Sequence, residues 1–97
     1  MNIINELELN DKKPAVLHIR RTTKRNITAI GLKKDQTLKE HKTGFITTLI
    51  VLKGKLHFII GEEVTELQAF DVFEVPCDIY HKVIAQEESI FVLNQEK

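Results

Sequence analysis

Phe45-Ile46-Thr47-Thr48-Leu49-Ile50-Val51-Leu52-Lys53-Gly54-Lys55-Leu56-His57-Phe58-Ile59-Ile60 reads as two strands folded back on each other. Phe45 to Leu52 is dense in β-branched and aromatic residues, which suit a pleated, packed surface. Gly54 supplies the positive φ that a tight turn needs between Lys53 and Lys55. Leu56 to Ile60 then returns, and Gly61-Glu62-Glu63 forms the next turn. Outward from this hairpin, short runs of strand character recur about every ten residues, the spacing of an all-β sandwich or barrel rather than an α/β fold. They are Ala15 to Arg20, Asn26 to Leu32, Leu38 to Lys42, Val64 to Leu67, Asp71 to Val75, Tyr80 to Ala85 and Ser89 to Asn94. Only Met1 to Asp11 has helical spacing, through Ile3, Ile4, Leu7 and Leu9, and reads as a short helix or an ordered arm. The expectation is one domain over residues 1–97, with an arm over 1–12, a β unit over 13–94 and a frayed tail at Gln95-Glu96-Lys97.

The chain has 97 residues, 14 basic and 14 acidic, for a formal net charge of zero. A domain of this size buries roughly 60–65% of its unfolded surface and has little stability in reserve. Balanced charge gives no global field toward nucleic acid or an anionic membrane, and neither is expected as a partner. The longest apolar run, Leu49 to Leu52, is far too short to span a bilayer. The first residues show no basic-then-apolar leader pattern. The single cysteine, Cys77, has no internal partner, so a reducing, cytoplasmic setting is expected. Phe45 to Leu52 is apolar on both alternating faces, Phe45, Leu49 and Val51 against Ile46, Ile50 and Leu52. A strand of that kind is covered on both sides, and in so small a protein the second cover is expected to be another subunit, making a homodimer.

Two further segments carry a family resemblance. The first holds His41-Lys42-Thr43, then Thr47, then Gly54; the second runs Asp71-Val72-Phe73-Glu74-Val75-Pro76, then Asp78 and His81. Their spacing resembles the bipartite signature of the cupins, above all small single-domain bacterial cupins of the RmlC-like superfamily. The first cupin motif has glycine, five residues, His-x-His, three or four residues, glutamate, six residues and glycine. Asp35, His41, Thr43, Thr47 and Gly54 occupy those positions here. The second has glycine, five residues, Pro-x-Gly, two residues, histidine, three residues and asparagine, matched by Phe70, Pro76, Asp78, His81 and Ala85. Pro76 and His81 agree; the two glycines and the asparagine are replaced. The resemblance implies a cupin-type antiparallel β-barrel, a double-stranded β-helix or jelly roll. It implies no single activity, because the family includes dioxygenases, isomerases, decarboxylases, storage proteins and sugar-sensing domains.

In a metal-bearing cupin both segments converge on three histidines and a carboxylate. Rigid nitrogen and oxygen donors with open positions for substrate are what such a site needs. His41 and His81 carry over as ligands, whereas Thr43 and Thr47 bring neutral hydroxyls, which are weak donors to a divalent ion. Two ligands are few for a tight site, so the leading expectation is a cavity without metal. There His41, Thr43, Phe45, Thr47, His81 and Phe91 hold a small polar ligand, while Tyr80, available as a wall, alternates with His81 in the strand. The alternative is an enzyme, a dioxygenase or isomerase, in which His41 and His81 bind iron, manganese, nickel or zinc. His57 would add a third nitrogen were it turned inward. Leu56, Phe58 and Ile60 form the alternate set and are better core candidates, which turns His57 outward. His18 reads as exposed, Cys77 as an ordinary loop thiol, and the run Arg20-Arg21-Thr22-Thr23-Lys24-Arg25 as a solvated turn. Lys33, Lys34, Lys39 and Lys42 read as solubilising surface.

Overall fold

The computed structural model describes residues 1–97. A one-turn helix, α1 (Ile3–Glu6), is followed by nine strands: β1 (Ala15–Arg21), β2 (Arg25–Leu32), β3 (Thr37–His41), β4 (Ile46–Lys53), β5 (Lys55–Ile60), β6 (Glu63–Gln68), β7 (Val72–Val75), β8 (His81–Ala85) and β9 (Ser89–Glu96). The strands form two antiparallel sheets, ordered β1-β2-β9-β4-β7 and β3-β8-β5-β6. This is the expected all-β, jelly-roll arrangement, with one refinement. The two sheets face each other as a sandwich and do not close into one continuous hydrogen-bonded barrel. No helix is long and apolar enough to cross a membrane.

Strand alternation fixes which residues meet between the sheets. Leu49 and Val51 of β4, Phe91 of β9 and Ile30 and Leu32 of β2 pack against Leu56 and Phe58 of β5, Leu67 of β6 and Val83 and Ala85 of β8. Gly54 turns the β4–β5 hairpin at φ +89°, and any side chain there would strike Ser89 Oγ and the Glu88 carbonyl.

The five-stranded sheet is also covered on its outer face. Adjacent residues fall into different clusters: Ile30 and Phe91 face inward, while Ala29 and Ile90 face out and pack with Leu7 and Ala15. Ile3 and Leu9 join that outer layer. Gly31 makes the docking of the arm possible, because a Cβ there would lie only 2.7 Å from Leu9 Cδ1. The arm's partners lie on β1, β2 and β9, and none on β4, the strand for which cover by a second subunit is expected. The chain's own arm covers the β1–β2–β9 side. Toward the other edge the outer face stays open, with Ile46 59% and Val72 64% exposed.

Three non-glycine residues have left-handed backbone: Asp35 (φ 71°), Phe70 (φ 73°) and Asp78 (φ 59°). They are the three positions, quoted above, at which the cupin pattern has glycine and this chain does not. The backbone geometry is retained although the residue that favours it is gone. Asp tolerates this region through local hydrogen bonding; a bulky residue such as phenylalanine does not, at roughly 1–2 kcal/mol. Phe70 is 83% exposed, so its ring returns little packing. Phe70→Gly is expected to raise the unfolding free energy by about 1 kcal/mol, part of the relief being offset by glycine's greater freedom when unfolded. Urea denaturation of the two proteins measures the difference, and a destabilised variant would contradict it.

Candidate functional site

The antiparallel register of β3 and β8 sets His41 directly opposite His81. Cross-strand partners stand close enough for their side chains to meet, and the two ring centroids lie 4.4 Å apart, edge to face. Each ring is anchored on its own strand. His41 Nδ1 lies 2.8 Å from the Lys39 carbonyl and His81 Nδ1 lies 3.2 Å from the Ile79 carbonyl. A carbonyl only accepts, so Nδ1 carries the proton in each bond. In a neutral ring that leaves Nε2 as an acceptor, and neither Nε2 has a hydrogen-bond partner in the protein. The only fully buried side-chain polar atom left unpartnered is Asn26 Oδ1. His81 Nε2 is therefore in reach of solvent, although the residue as a whole is only 4% exposed. Phe58 stacks on the His81 ring at 4.8 Å and fixes its plane.

The two imidazoles line a cavity of about 20 Å³ with Thr43, Thr47, Phe58, Phe91 and Gln95. That volume holds about one water molecule. Ligand pockets that enclose a whole small molecule run to roughly 300–1,000 Å³. As folded, the cavity admits one polar group of a ligand and leaves its body outside.

The threonines serve the local backbone. Thr47 Oγ1 donates to the Phe45 carbonyl at 3.0 Å and accepts from Gln95 Nε2 at 3.3 Å. Thr43 Oγ1 accepts from the Phe45 amide at 3.1 Å. One expectation is corrected here, for Phe45, and one is met, the outward turn of His57. Phe45 does not line the cavity: β4 starts one residue later, the bend at Phe45 breaks the alternation, and its side chain is 40% exposed. His57 is not a third ligand. It shares the outer face of its sheet with Glu66, 3.5 Å away, while its neighbours Leu56 and Phe58 point into the core. Tyr80 is exposed as well, beneath the Lys42 ammonium at 5.0 Å. Phe91 does line the cavity, fully buried.

Gln95 is the residue the sequence reading missed, since the tail was expected to fray. Instead β9 runs on to Glu96, paired with both β2 and β4. Continuing the alternation of Phe91 through Leu93 would have pointed Gln95 inward. The usual cupin metal set does not fit these residues. Two imidazoles and one amide are present, and no three histidine, cysteine, aspartate or glutamate side chains gather to hold an ion.

Burial holds the His81 pKa below its ordinary value of 6.5, the nearby His41 adding to that lowering against the opposing Ile79 carbonyl. Unfolded, the same imidazole takes up a proton as pH falls past about 6.5, and the folded ring resists it. The unfolded state gains from protonation, so stability falls as pH drops below that point and is flat above it. Thermal melts from pH 8 to pH 5 are expected to show this decline, and His81→Gln should remove it. An equal slope in the variant would contradict the assignment.

A cupin domain family model matches residues 31–93. No curated protein sequence matches the chain. Among solved structures, an RmlC-like cupin from Desulfovibrio desulfuricans is similar with a TM-score of 0.88 at 18% identity, over 99% of this chain and 93% of the other. An uncharacterized conserved protein with a double-stranded β-helix domain from Klebsiella pneumoniae gives 0.89 at 17% identity, over 99% and 87%. A conserved protein of unknown function from Streptococcus pyogenes gives 0.87 at 18%, over 100% and 85%. At such identities the structures establish fold and leave activity open. The family model spans well over half the sequence and contains both histidine segments: the chain belongs to the cupin family.

Proposed function

We propose that this domain is a small-molecule binding cupin that captures one polar group of its ligand at the His41–His81 pair. The observation that carries the reading is the pair of back-anchored imidazoles with free Nε2 atoms at a cavity of one-water size. His81, held neutral near pH 7, presents an acceptor and favours a group that donates, such as a ligand hydroxyl. Phe58 beneath the ring and Gln95 beside Thr47 keep the receiving geometry fixed. Thermal shift against polyols, sugars and hydroxy acids tests it. A ligand at 100 times its dissociation constant adds about 2.7 kcal/mol, and His81→Gln should abolish that gain. No response across these classes would sink the reading. Elemental analysis of untagged protein separates it from the metal-enzyme alternative: stoichiometric iron, manganese, nickel or zinc, lost in a His41→Ala/His81→Ala variant, would favour catalysis instead.

A homodimer is part of the same reading. The outer face of the five-stranded sheet keeps Ile46, Leu52 and Val72 exposed. A second copy of this 11.2 kDa chain would cover them. Light scattering at micromolar concentration should give twice the chain mass, and Val72→Lys should halve it. A monomeric mass for the unmodified protein would end this part of the reading.

A further inference from the structure

Because the sandwich is not closed, it has two seams where end strands of the two sheets face each other. The seam on the β1–β3 side opens into a groove of about 530 Å³, lined by Lys12, Lys13 and Pro14 on one wall and by residues 37–41 of β3 on the other. His41 belongs to both this groove and the inner cavity, and so stands as the wall between them. The groove is open to solvent, with room to seat a small molecule against its floor without enclosing it.

Both walls are held. The Asn10 side chain accepts from the Lys12 and Lys13 amides at 3.0 Å each. Gln36, in the turn before β3, donates to the Asn10 carbonyl at 2.6 Å. The groove's lining includes three lysines, Lys12, Lys13 and Lys39, and one carboxylate, Glu40. Four cations elsewhere have carboxylate partners, Arg25 with Glu96, Lys33 with Asp11, Lys53 with Glu88 and Lys55 with Glu66; what sets Lys12, Lys13 and Lys39 apart from the other unpaired ones is that they share one groove. Asp11, next in sequence to Lys12, is taken by Lys33, and no carboxylate pairs with Lys12, Lys13 or Lys39. A lysine on an exposed edge strand ordinarily discourages edge-to-edge pairing, which accounts for Lys39. It does not account for Lys12 and Lys13, which lie off the sheet on a pinned loop.

We propose that this groove holds the anionic group of the ligand, a carboxylate or a phosphate, between Lys12, Lys13 and Lys39, with the uncharged part reaching His41. The proposal rests on the His41–His81 pair being the ligand site, and names the charge class of what binds there.

The test is an NMR titration of the full chain at low, constant ionic strength with inorganic phosphate and, separately, with succinate. Backbone amides report the groove, and the imidazole protons of His41 and His81 report the cavity. Saturable shifts concentrated at residues 12, 13 and 37–41 are expected. The Lys12→Ala/Lys13→Ala/Lys39→Ala variant should weaken binding at least fivefold, and the matching triple arginine variant should retain it. All three sites are exposed, and a circular dichroism spectrum checks that the fold survives. Response to only one of the two probes assigns the anion as phosphate or carboxylate. Shifts spread evenly over the basic surface, including Arg20 to Arg25, or unchanged affinity in the alanine variant, overturn the proposal. Imidazole shifts with a hydroxylated ligand that leave the groove amides still would overturn it while leaving the histidine reading intact.

Discussion

The whole structure depends on covering both faces of one five-stranded sheet with 97 residues. Its inner face is met by the second sheet, through Leu49, Val51 and Phe91 against Leu56, Phe58 and Val83. Part of its outer face is met by the chain's first residues, for which Gly31 leaves a place beside Leu9. Burial at roughly 25 cal/mol per Å² makes such coverage the main source of stability in so small a domain. The cavity residues other than Thr43 hang on strands that this packing positions, whereas Lys12 and Lys13 of the groove sit on a loop pinned by Asn10.

Much of the fold was legible because strand pairing leaves a short-range signature. The hairpin around Gly54 and the nine strands fall within about two residues of their sequence-read bounds, a normal uncertainty for element ends. Less legible were features decided by neighbours distant in sequence. Nothing local in the sequence reveals that Leu7 and Leu9 return to cover the part of the five-stranded sheet formed by β1, β2 and β9. Gln95 looks like tail until β9 is seen paired with both β2 and β4. Phe45 looks like the first residue of a strand until a bend turns it outward. The histidine pair was legible by spacing, yet its meaning changed with geometry. The threonine hydroxyls are committed to the Phe45 turn, and the free valences belong to imidazole Nε2.

The replaced glycines show how a sequence can drift from a family pattern while the backbone does not. Asp35, Phe70 and Asp78 keep left-handed conformations that the surrounding turns impose. Hydrogen bonds such as Phe70 N–H to the Val51 carbonyl, at 2.7 Å, over-determine the geometry. Motif matching by residue identity weakens at these positions, and motif matching by conformation does not.

β3 is a five-residue edge strand with an irregular register toward β8, whereas β8 lies inside its sheet between β3 and β5. The two imidazoles are thus drawn from the least and one of the most firmly held parts of the four-stranded sheet. Edge segments open first in native-state fluctuations. When β3 lifts, His41 leaves His81 and takes the wall of the basic groove with it. Whatever binds across that wall also binds β3 to the rest of the protein. Ligand bound there would raise the opening free energy of one strand, because the two equilibria are linked.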